Sequence, residues 1–172
     1  MKKSIAAIVA VFAVLCLVIL SAGCVGSNGQ GTAAAAGDET VIAQYVADSI
    51  PHVQTVQLAT SSAAGEPNVA TMSAIITENN KIIIGNCFMD KTLANIKENP
   101  KVAVLAWNPD EKYCVQFKGT AEIKTDSDKF NAMKELIGKR FGNADLLKNV
   151  VVITVTEAYN SMLGENAGQR LA

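Results

Sequence analysis

Histidine occurs once in these 172 residues, at His52, and cysteine only four times, with no Cys-x-x-Cys pair. So few soft ligands exclude zinc and iron–sulfur sites; no metal site is expected. They also leave little from which to build a histidine–acid proton shuttle. Apart from Lys2 and Lys3 there is no block of basic residues, which argues against nucleic acid as a partner. No internal repeat is visible. What the chain does have is 49% hydrophobic residues, enough for one domain with a core of its own.

Part of that hydrophobicity sits at the start. Lys2 and Lys3 precede an uncharged apolar run from Ile5 to Leu20, followed by Ser21-Ala22-Gly23-Cys24. A basic start, an apolar middle and a small-residue exit are the parts of a secretory signal, and the run is short for a membrane span. The exit resembles the lipobox of prokaryotic lipoproteins, in which the cysteine, here Cys24, is lipidated and becomes the new N-terminus. The other reading is an uncleaved anchor helix. Either places the domain on the extracytoplasmic face of the cell membrane. Residues 25–37, rich in Gly and Ala and uncharged, read as a flexible tether, and the domain proper spans 38–159. Lys2 and Lys3 leave with residues 1–24 and no acid does, so 15 bases become 13 against 16 acids, a net charge of −3. Cys16 lies in the apolar run. Cys87 and Cys114 remain, either as a disulfide or, preferred here, as buried free thiols.

Within the domain, Val41, Ile42, Tyr45, Val46 and Ile50 recur at helical spacing, with Asp38 or Thr40 as cap and Pro51 as stop. Strands are expected over Val53–Ser61, Asn68–Thr77, Lys81–Gly85, Lys101–Trp107, Lys112–Lys124 and Val150–Thr156. Gly119, inside the fifth, marks a bulge or bend. A helix is expected over Asp90–Asn99, ended by Pro100, and another over Ser127–Gly138 with Phe130, Met133 and Ile137 on one face. Six strands with three short helices predict an α+β fold, a small antiparallel β-barrel. Residues 160–172 read as a polar tail. Trp107 reads as core or dimer packing, and His52 as a loop or helix-end residue.

The helix opening on Lys91-Thr92 carries the chemistry. Free N–H groups of a first turn, an ammonium and a hydroxyl together make a phosphate site. The plainer alternative is a surface lysine beside an ordinary helix start capped by Asp90.

Four segments, in order, carry a wider likeness: Pro67-Asn-Val-Ala-Thr-Met-Ser73, Lys81-Ile-Ile-Ile-Gly-Asn86, Lys91-Thr-Leu-Ala-Asn-Ile-Lys-Glu-Asn-Pro100 and Val115-Gln-Phe-Lys-Gly-Thr-Ala121. From about Thr40 to Thr156 the chain resembles the flavin-binding split barrels related to pyridoxamine 5'-phosphate oxidase. The small FMN-binding proteins of anaerobes are most alike. The resemblance implies a six-stranded split barrel with FMN as cofactor. Lys91 and Thr92 would hold its phosphate. Ala70, Thr71, Met72 and Ser73 would line the ring and ribityl chain. Asn86, Cys87 and Phe88 would meet the flavin through backbone groups. Gln116 would reach the cofactor of a neighbouring subunit in a homodimer. The C-terminal segment rich in Arg and Trp with which the oxidase grips its substrate has no counterpart here, nor has the arginine by which the first strands of many relatives hold phosphate. Oxidation of pyridoxamine phosphate is therefore not expected.

Three functions follow: a membrane-tethered FMN oxidoreductase or electron carrier with no catalytic side chain identified; the same fold holding deazaflavin, or haem with His52 as the available histidine; and a non-catalytic surface scaffold.

Overall fold

A computed structural model describes residues 37–172. The segments expected as leader and tether, with Cys24, lie outside the described residues up to residue 36. Gly37 already donates its N–H to the Thr156 carbonyl at 2.9 Å.

Helix α1 (Glu39–Ser49) is capped by Asp38, whose carboxylate accepts from the N–H groups of Thr40 and Val41. It turns every fourth residue inward: Ile42, Val46 and, just past its end, Ile50 are buried, while Val41 is 41% exposed and so lies off the apolar face. A 3₁₀ turn holding Pro51 follows. The strands are β1 (Val56–Ser61), β2 (Pro67–Met72), β3 (Ile75–Glu78) and β4 (Lys81–Asn86). Helix α2 (Lys91–Glu98) leads to β5 (Lys101–Asn108) and β6 (Tyr113–Lys124). Helix α3 (Asp128–Phe141), a 3₁₀ turn over Ala144–Leu146 and β7 (Asn149–Asn160) complete the elements.

Among the described residues the sheet has seven strands, not six, in the order β2-β1-β5-β6-β7-β4-β3, antiparallel throughout. The seventh arises because the stretch expected as one strand, Asn68–Thr77, changes partner at Ser73-Ala74. Before that corner it pairs with β1, after it with β4. The two edges of the sheet are thus consecutive in the chain. The sheet curls into a barrel closed by covalent continuity and left without a hydrogen-bonded ladder between β2 and β3. The Ala74 carbonyl accepts from Gly85 N–H at 2.9 Å, fixing the corner to β4.

Inward residues alternate along each strand. Phe117, Leu58, Ile82, Ile84, Val104 and Ile153 fill the barrel, with Ile42 and Val46 of α1 and Ile96 of α2 joining the same cluster. Helix α3 covers the outside: Met133 and Ile137 pack on Ile83, Val150 and Val152. Two-sided burial explains why β4 and β7 read as unbroken apolar runs.

The bulge falls where Gly119 places it. Lys118 pairs with Glu157 and Gly119 with Val155, so Thr156 is the extra residue. Strand β7 runs on past this bulge to Asn160, beyond the expected end at Thr156. A Cβ at Gly119 would stand 2.1 Å from the Thr154 carbonyl oxygen, so no side chain fits without moving backbone. Gly119→Ala should cost on the order of 1–2 kcal/mol, read as a lower urea midpoint with unchanged slope. An unchanged midpoint would mean that the two strands part easily there.

The stretch over 160–172 does more than a tail. The backbones of Ala158 and Asn160 bond to Gln169, Leu171 and Ala172, and Leu171 packs against the barrel core. Among the described residues no helix is long and apolar enough to cross a membrane.

Candidate functional site

The barrel's split is where a cleft forms. It has a volume of about 400 Å³, within the range of small-molecule sites. The end of β2, the corner, Gly85, the loop after β4, the start of α2 and Phe141 at the end of α3 surround it. Ala70, Thr71, Met72, Ser73, Cys87, Phe88, Lys91 and Thr92, all expected at a site, line it together.

The loop between β4 and α2 is shaped from below by Asn86. Its side chain is buried, accepts from Met89 N–H at 2.7 Å and donates to Asn149 at 3.2 Å. Asn86 therefore sets the path of Cys87-Phe88-Met89 rather than lining the cleft. That loop holds Phe88 78% exposed at the rim.

The start of α2 is open. Asp90 occupies the cap position but its side chain makes no capping hydrogen bond, contrary to the capping alternative. The first-turn N–H groups keep their donor capacity and their share of the helix dipole. Lys91 faces both the cleft and a smaller hollow beside it, and no carboxylate pairs with it among the described residues. The buried Thr92 hydroxyl accepts from Asn68 Nδ2 at 3.2 Å, which leaves its own proton to donate. Asn68 and Asn95 both donate to Thr60, and Asn99 donates to Ser61 at 2.9 Å. These amides fasten α2 to β1 and β2, so the helix start is held rigidly against the cleft.

Cys87 and Cys114 are free thiols. Burial pushes the Cys87 thiol up from its ordinary value, with Lys148 pulling weakly the other way. Thiolate is scarce there at neutral pH, which weakens any redox role beside a cofactor. His52 lies on the 3₁₀ turn, 3.5 Å from Glu111, and no histidine lines the cleft.

Gln116 does not line the cleft. Strand register places it on the outer face of the sheet, in one row with Thr71, Gln57, Leu105 and Tyr159. Asn68, Ala74, Gly85, Met89, Asp90, Phe141 and Leu146 also line the cleft and were not expected there. Phe141 had a signal: it stands four residues beyond Ile137 on the apolar face. The expected helix end at Gly138 hid it. The helix runs on because Gly142, at φ 73°, takes the left-handed cap instead.

Comparison with known proteins supports the architecture. A family model described as pyridoxamine 5'-phosphate oxidase matches residues 42–162. An uncharacterized protein of Methanocaldococcus jannaschii is 41% identical over 121 residues, 68% of this chain and 79% of that one. The crystal structure of HupZ from Group A Streptococcus has a TM-score of 0.60 at 26% identity, covering 74% of this chain and 96% of that one. An FMN-binding protein from Syntrophomonas wolfei has a TM-score of 0.54 at 19% identity over 74% and 88% of the two chains and shares the fold. A heme storage protein from Vibrio cholerae (TM-score 0.54, 18% identity, 69% and 94%) and an F420 reductase (TM-score 0.51, 21% identity, 71% and 95%) share the fold too. The curled antiparallel sheet, the cleft at its split and the match over 42–162 lead to one assignment: the chain belongs to the pyridoxamine 5'-phosphate oxidase family.

Proposed function

We propose that the cleft binds FMN and that the protein is a flavin-dependent oxidoreductase or electron carrier. One observation carries the reading: an unpaired ammonium, a buried hydroxyl and an uncapped helix start meet at one end of a cleft whose other walls are Ala70, Met72 and Phe88. The first group suits a phosphate, the second an aromatic plate. A bound flavin would supply the electron transfer. The chain's part is to hold the phosphate, orient the ring and exclude water. Titration of the purified protein with FMN, followed by absorbance, tests this: saturation near one FMN per chain is expected. A folded protein that leaves FMN free would overturn it. A deazaflavin carries the same phosphate-bearing tail, and binding of deazaflavin in place of FMN would move the reading to that cofactor. Haem is disfavoured because His52 stands away from the cleft.

The protein is further proposed to act as a homodimer through the outer sheet face. Val69 and Trp107 are 65% and 54% exposed there, and the Gln57 side-chain oxygen is buried without a hydrogen-bond partner. Gln116 on that face would reach the flavin of the second copy. Trp107→Glu is expected to shift a dimer to monomer in light scattering; a wild type that is monomeric at micromolar concentration would end this part. For the N-terminus, lipidation of Cys24 and a place on the extracytoplasmic membrane face remain proposals from sequence. Mass spectrometry of the mature N-terminus decides between a diacylglyceryl-modified Cys24 and an uncleaved leader.

A further inference from the structure

A second hollow, of about 400 Å³, adjoins the cleft, with Ser73 a wall of both. Ile50, Val53 and Ile76 give it apolar sides; Gln54, Thr77 and Arg140 supply its polar groups. Arg140 is one of two arginines in the chain. Its Nη1 donates to the Ser73 carbonyl at 2.6 Å. Its guanidinium carbon stands 5.5 Å from the ring centre of Phe141, which lines the cofactor cleft. Arg140 is exposed; these contacts hold its guanidinium at the corner between the two hollows and use few of its five donors. No acid lines the second hollow, and among the described residues no carboxylate pairs with Arg140.

A guanidinium with spare donors and no acidic partner among the described residues, in a hollow of mixed lining with more polar than apolar surface, matches a planar anion with a small apolar body. We propose that this hollow binds a small carboxylate, its charged end on Arg140 and its apolar body against Ile50, Val53 and Ile76, presented to the cofactor cleft across Ser73. The role as substrate rests on the FMN reading; the carboxylate site does not. Helix α3 would then set specificity, since the turn that carries Arg140 also carries Phe141.

The test is a titration of ¹⁵N-labelled protein with sodium benzoate, with benzamide as the neutral counterpart, each with and without FMN. Saturable amide shifts at Gln54, Ser73, Thr77 and Arg140 are expected with benzoate, and binding on the order of tenfold weaker or less with benzamide. Arg140→Gln should weaken benzoate by about tenfold or more. Since that change also removes the bond to Ser73, Thr77→Glu serves as a second variant. It leaves Arg140 in place, adds an opposing carboxylate and should abolish benzoate binding. Absence of saturable shifts, equal affinity for benzamide, or benzoate binding unchanged in both variants would overturn the proposal. Benzoate binding in a protein that refuses FMN would uphold the anion site and remove the flavin reading alone.

Discussion

Lys91→Ala is expected to weaken FMN binding by roughly ten- to 150-fold while leaving the unliganded protein as stable as before. The ammonium is exposed, has no acidic partner among the described residues and packs into no core, so its removal should change folding by less than about 0.5 kcal/mol. A phosphate would lose one charge-assisted contact, about 1.5–3 kcal/mol. The remaining grip, from Thr92 and the helix start, should hold FMN measurably. Added salt should narrow the gap between wild type and variant, because screening already weakens an exposed ammonium. Flavin affinity equal in the two proteins would remove Lys91 from the site. Thr92→Val is a harsher change. It strips the hydroxyl that Asn68 donates to, so it should lower affinity and stability together.

Phe117→Ala is expected to cost about 3–5 kcal/mol, a fall in melting temperature of roughly 10–15 °C. Phe117 is the largest fully buried side chain among the described residues and points from β6 into the barrel among residues of α1, β1, β4 and β7. Removing its ring leaves a cavity that the sheet cannot easily collapse to fill, since β1, β4, β6 and β7 around it are each pinned by two neighbouring strands. Calorimetry of this variant beside Lys91→Ala separates the two roles. One should lose stability, the other affinity. A loss under about 1 kcal/mol for Phe117→Ala would mean that the barrel interior repacks freely.

Much of the site was legible because its parts are local. Lys91-Thr92 announces a helix start within a few residues, and Ala70–Ser73 and Cys87-Phe88 flank strand ends that alternation and glycine mark out. The departures come from long-range pairing. Ser73-Ala74 carries no proline or glycine to signal a break, and only its exchange of β1 for β4 turns one expected strand into two. Gly138 looked like a stop, yet glycine ends a helix only where the chain needs the left-handed turn, and that turn is at Gly142. Asn86 was expected at the cofactor; its side chain holds the loop that borders the cleft, a role visible only once Met89 and Asn149 are its neighbours.

By itself, then, the sequence determined the inward and outward faces of the strands, the bulge at Gly119, the apolar face of α3 and the helix start at Lys91-Thr92. Each of these follows from residues within one or two turns or along one strand. Only the tertiary structure decided that the sheet's edges meet at Ser73, that the cleft opens there, and that Arg140 and Phe141 stand beside it. Those facts depend on how seven strands share partners and on where α3 ends against them. Both are set by packing between residues far apart in the chain, which no local pattern encodes.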